Sequence, residues 1–143
     1  MLVFGLILTI ILYFLLLAFI IFYFVLIIKK KYNLADMLEK VLFLFSLICL
    51  MVESWALVIM NNGFNFNFNI SIIVEYYFSI LIIVPLVAIL AYSNIIVRKN
   101  STLELSKIGR VSNYMLLPFT IIVVAAATVL LFFNINYFVY YTM

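Results

Sequence analysis

The chain contains no histidine, one cysteine, three glycines and two prolines among 143 residues, and only 9% of its residues are charged. Each scarcity excludes something. Without histidine there is no usual ligand for haem, copper, non-haem iron or zinc. A lone Cys49 makes neither a CxxC pair nor an internal disulfide. Three scattered glycines build no phosphate-cradling loop. The eight basic residues form no long stripe of the kind that tracks a nucleic-acid backbone. The expectation is therefore no cofactor, no metal site, no nucleic-acid partner and no self-contained catalytic site.

What is present in excess is apolar surface. Hydrophobic residues make up 71% of the chain, against about half in soluble domains, which marks an integral membrane protein of one all-α domain. The first apolar run is too long for a signal peptide core and ends in lysines rather than at a small-residue cleavage site. Residues encoded by AT-rich codons, such as Phe, Ile, Asn and Lys, far outnumber Gly, Ala, Arg and Pro. That composition fits a prokaryotic, organellar or viral source.

A helix needs about 20 apolar residues to cross the hydrocarbon core. Four stretches meet this requirement: 2–28, 41–60, 72–97 and 114–133. The expected architecture is four transmembrane helices arranged as two helical hairpins. All eight basic residues lie in loops 29–40 and 98–113. The positive-inside rule then places those loops inside, and loop 61–71 and both termini outside. Lys29, Lys30, Lys31, Arg98 and Lys99 are expected to fix this topology, with anionic lipid headgroups as a secondary role. The membrane is expected to be a prokaryotic cell membrane or a mitochondrial inner membrane.

Capping patterns refine the ends. Asn33 followed by Asp36 suggests that the second helix starts before its apolar part. Ser101 with Glu104 suggests a short interfacial helix in the third loop, stopped at Gly109, with Ser112 or Asn113 capping the fourth span. Pro118 then falls in the first turns of that span. The alternation of Phe and Asn over 64–70 reads as an interfacial loop with aromatic rings at headgroup depth.

In lipid, small and polar side chains mark the protein-facing side of a helix. Ser46, Cys49, Glu53 and Ala56 form one such stripe, and Asn113, Thr120, Ala127 and Asn134 recur every seven residues. In the third span Glu75, Ser79, Leu86 and Ser93 share a side. The first span, bulky throughout, is expected to be the most lipid-exposed.

Glu53 is the one acid well inside a span, at a cost of roughly 2.5–3.5 kcal/mol if charged. Two roles compete: a packing group that meets a neighbour's polar atom, or a member of a proton or ion path. A relay needs a second titratable group at similar depth, and only Glu75, near the edge of its span, offers itself. Packing is the expected role, with the partner on another subunit or a lipid headgroup. The expected function is a non-catalytic accessory subunit of a larger membrane complex, respiratory in kind, contacting other membrane subunits and phospholipids. The alternative is a small homo-oligomeric channel or transporter with Glu53 in its path.

Overall fold

The structure, a computed structural model, describes residues 2–60, 70–101 and 106–142, with side chains described except at 2, 57, 59–60, 70–76, 78–80, 82 and 140–142. Four helices account for nearly all of it: α1 (Leu2–Ile28), α2 (Tyr32–Met60), α3 (Ile70–Asn100) and α4 (Lys107–Thr142). There is no strand among the described residues. Stretches in three of the helices, Val3–Ile28, Ile83–Asn100 and Lys107–Val139, are long and apolar enough to cross a membrane. Such runs become helices because a helix pairs every interior backbone group within the segment, and hydrocarbon offers no other partner. The Phe/Asn segment 64–70 lies outside the described residues apart from the start of α3, and so does the side chain of Glu75.

The helix ends depart from the expected caps. Between α1 and α2, the Lys31 amide donates to the Leu26 carbonyl and the Lys30 amide to that of Ile27, both at 3.0 Å. Lys30 sits in the left-handed region at φ 57°. This is a Schellman closure with lysine where glycine is the usual choice. Helix α2 then starts at Tyr32, before Asn33, with the Ala35 amide donating to the Lys31 carbonyl at 3.0 Å. Asn33 is therefore a first-turn residue rather than the cap, and its side chain accepts the Ser101 hydroxyl at 3.5 Å.

Ser106 caps α4: its hydroxyl accepts the Gly109 amide at 3.2 Å, and its carbonyl accepts the Arg110 amide at 2.9 Å. Gly109 consequently lies inside α4 and stops nothing, and Ser112 and Asn113 are interior residues rather than caps. The expected interfacial helix is not a separate element from Lys107 onward, and positions 102–105 lie outside the described residues. Pro118 is likewise interior to α4 instead of in its first turns. There it removes a backbone donor that the Tyr114 carbonyl would otherwise use, as Pro85 does for Leu81 in α3. At its far end α4 continues through the aromatic stretch to Thr142.

Helices α2 and α4 share the most extensive contact and form the centre of the bundle. Helix α1 lies against both, α3 lies mainly against α4, and α1 and α3 scarcely meet. The buried positions repeat every seven residues. Ala35, Glu39, Leu42, Ser46, Cys49 and Glu53 are buried on α2, and Thr120, Val124, Ala127, Leu131, Asn134 and Phe138 on α4. Thr9, Leu16 and Tyr23 do the same on α1, and Ile83, Leu90 and Val97 on α3. This is the period that lets helices stay in register over many turns.

Helix α1 supplies the least buried of the three candidate spans, as its bulky sequence suggests, but one side of it is packed. Thr9, Leu16, Ile20, Tyr23 and Leu26 are buried, and a Cβ at Gly5 would come within 3.0 Å of the Phe138 ring. Between apolar helices in lipid there is little hydrophobic drive. Close packing and a few interior hydrogen bonds must hold the bundle, which directs attention to its buried polar groups.

Candidate functional site: two buried polar layers

The first layer forms where Glu53 projects from the buried seam of α2. Thr9 of α1 donates its single hydroxyl proton to the carboxyl group, with Oγ1 3.0 Å from Oε2 and 3.2 Å from Oε1. Asn134 of α4 donates its amide to Oε2 and lies 3.5 Å from the Glu53 carbonyl. All three side chains are buried. The partner of Glu53 is therefore not on another subunit, as expected from the sequence, but on the first and last helices of the same chain. Asn134 also carries an oxygen, Oδ1, that has no partner. The side-chain amide can thus meet the carboxyl group as donor or acceptor, whichever protonation state Glu53 holds.

The second layer lies two heptads back along α2, roughly 21 Å away at 1.5 Å per residue. Arg98, buried on α3, reaches Glu39 Oε1 through Nη2 at 2.5 Å and Asp36 Oδ1 through Nη1 at 3.4 Å. Nη1 also donates to Asn113 Oδ1 on α4. Lys40, half exposed, pairs with Asp36 Oδ2 at 3.2 Å across one helical turn. Tyr23 of α1 enters the field of Glu39, Arg98 and Asp36, close to Ser93. All four helices therefore contribute to this layer. Four buried atoms in or beside it lack a well-formed hydrogen bond: Tyr23 OH, Glu39 Oε2, Arg98 Nε and Asn94 Oδ1.

Arg98 is thus not placed as a headgroup ligand. Its guanidinium turns into the bundle, while Lys29, Lys30, Lys31 and Lys99 remain exposed. The signal that could have revealed this layer was the heptad itself. Counting back from Glu53 through Ser46 reaches Glu39, and Arg98 is the first of two bases in the last turn of α3, one residue after the buried Val97.

Between the layers the bundle is filled mainly by apolar side chains. One heptad in from Thr9, Glu53 and Asn134 stand Leu16, Ser46 and Ala127, all with zero exposure. Cys49, Leu90 and Val124 are buried with Leu16 and Ala127 in one apolar cluster. The Ser46 hydroxyl has no partner. Thr120 and Thr128 donate to the carbonyls of Leu116 and Val124 on their own helix, each at 2.8 Å. Ser93 and Asn94 both donate to the Leu90 carbonyl, at 2.9 and 2.7 Å. Of the small-residue stripe on α2, Ser46, Cys49 and Glu53 are buried and Ala56 is half-buried, while Trp55 stands on the outside.

In both layers polar side chains join one helix to another. The Glu53 layer sets the Thr9 hydroxyl and the Asn134 amide against one carboxyl group. The Glu39 layer ties its carboxylates to a guanidinium. Among the described residues no three His, Cys, Asp or Glu side chains gather where a metal could sit. Comparison of the chain with family models, with curated proteins and with solved structures finds no match.

Proposed function

We propose that the chain is a non-catalytic accessory subunit of a larger membrane complex, with all four helices crossing the bilayer. For α2 the support is its outer face. Leu34, Met37, Val41, Leu44, Ile48, Met51 and Trp55 are exposed and recur at alternating steps of three and four. That apolar stripe is roughly 32 Å long at 1.5 Å per residue, close to the thickness of the hydrocarbon core.

The observation that carries the accessory reading is the closure of both polar layers within the chain, with a packed apolar layer between them. A path for ions needs polar groups or water in sequence across the membrane. Here Leu16, Ala127, Leu90 and Val124 occupy the middle. Glu53 is engaged by Thr9 and Asn134 instead of facing an opening. Outside, α1 presents Phe4, Ile7, Ile11 and Phe14, a bulky surface suited to lipid or to larger membrane subunits.

The kind of complex we propose is an energy-transducing respiratory one in a prokaryotic or mitochondrial inner membrane. The AT-rich composition, and the absence of histidine, the usual ligand of a redox cofactor, from a chain so apolar, support that choice. Both basic loops then face the cytoplasm or matrix, with both termini on the opposite side.

Native mass measurement after mild detergent extraction tests the proposal. Co-purification in a fixed ratio with redox-active subunits is the expected result. A homo-oligomer that conducts protons or ions in vesicles, and loses conduction on Glu53→Gln, would replace it with the channel reading.

A further inference from the structure

At the end of the bundle where α1 turns into α2, Lys30, Lys31, Tyr32, Asn33, Leu34 and Asn100 line an open pocket of about 340 Å³. The lysines that line it are held in place. Lys30 is fixed in the left-handed region, and the Lys30 and Lys31 amides are both bonded to the end of α1. Neither lysine pairs with an acid among the described residues, since Asp36 is taken by Lys40 and Arg98 and Glu39 by Arg98. Lys29 and Lys99 stand exposed in the flanking segments. The start of α2 adds the positive end of a helix of 29 residues. The end of α3 adds little opposing charge, because the Asn100 side chain and the Ser101 amide satisfy the carbonyls of Ile96 and Val97.

Below this basic mouth the surface changes character. Leu34 belongs both to the pocket and to the exposed stripe of α2. Met37, Val41 and Leu44 follow on the same line, all exposed. From Leu34 to Leu44 the stripe covers roughly 15 Å at 1.5 Å per residue, the depth of one leaflet of hydrocarbon. A phosphate on two lysines with an acyl chain lying along this stripe matches both halves of the surface.

We infer that the pocket between the α1–α2 turn and the end of α3 is a binding site for the phosphate headgroup of an anionic phospholipid, whose acyl chain lies along Leu34, Met37, Val41 and Leu44. The inference rests on the membrane-spanning reading of the helices and not on membership of a respiratory complex. A free phosphate shares the headgroup chemistry but makes no use of the apolar stripe.

The test uses the full chain in nanodiscs or mild detergent, with phosphatidylglycerol, phosphatidylcholine and inorganic phosphate as probes. Native mass spectrometry counts retained lipid, and thermal unfolding reads its stabilising effect. The expected result is selective retention of phosphatidylglycerol over phosphatidylcholine. The double variant Lys30→Gln, Lys31→Gln should weaken it roughly 10- to 30-fold, since each lysine at an anionic surface contributes about a factor of five. Lys107→Gln with Arg110→Gln removes the same charge from the first turn of α4, and should change retention less than about threefold. Equal loss in both double variants would show general charge attraction and overturn the site. Stabilisation by millimolar inorganic phosphate equal to that by phosphatidylglycerol would overturn the lipid assignment. Failure of the subunit reading, a homo-oligomer without partners, would leave these expected results unchanged.

Discussion

Glu39 is the acid nearest the Arg98 guanidinium, and its removal should cost the second layer more than one hydrogen bond is worth. Its Oε1 lies 2.5 Å from Arg98 Nη2, whereas Asp36 Oδ1 lies 3.4 Å from Nη1 and Asp36 is shared with Lys40. Glu39→Leu puts an apolar side chain in its place and leaves the enclosed guanidinium facing Asp36 and Asn113 alone. Removing one partner of a buried ion pair costs about 3–5 kcal/mol, and the contact that Asp36 keeps should hold the loss near the lower end, about 3 kcal/mol. Unfolding of the detergent-solubilised chain by a denaturing surfactant reads the loss. The double variant Glu39→Leu, Arg98→Met removes both charges and should recover most of it. A single variant within about 0.5 kcal/mol of the parent, or a double variant no better than the single one, would refute the placement of Arg98 against Glu39 inside the bundle.

Arg98→Ala leaves Asp36 and Glu39 buried without their guanidinium, and should cost about 3–5 kcal/mol in the same unfolding assay. Arg98→Lys should recover only part of this, because one ammonium cannot reach both carboxylates as the fork does. Thr9→Val and Asn134→Leu should each cost about 1 kcal/mol, a typical size for an interhelical hydrogen bond in a membrane. Replacing Thr9, Glu53 and Asn134 together by Val, Leu and Leu should return stability to near that of the parent, and a large deficit in the triple variant would contradict a purely fastening role. Lys30→Gly relieves a left-handed backbone and should raise stability by up to about 1 kcal/mol, visible as a later unfolding midpoint.

The apolar runs that became α1, α3 and α4 were readable because their lengths match a bilayer and because backbone pairing leaves helix as the choice. The stripes through Glu53 and Asn134 were also readable, since small and polar residues recurred at helical spacing. Their meeting was not. Nothing in either stripe states the relative register of α2 and α4, so Glu53 looked as if its partner had to come from outside. Arg98 was misplaced for a related reason. Topology rules count where a charge stands in the chain, whereas a long side chain can turn back into the bundle and leave the surface to its neighbour Lys99. At Ser106 several cap patterns lay within a dozen residues, and only the backbone shows which hydroxyl meets a free amide.

The order of the helices gives the Glu53 layer a further meaning. Thr9 and Glu53 stand on α1 and α2, but Asn134 stands towards the far end of α4. When the helices are made in order, the acid is therefore held by a single hydroxyl until α4 is in place. The same delay holds for Asn113, which reaches Arg98 only once α4 has started. A chain cut before α4 would leave both layers short of a partner, so the fourth helix latches the other three as well as packing against them.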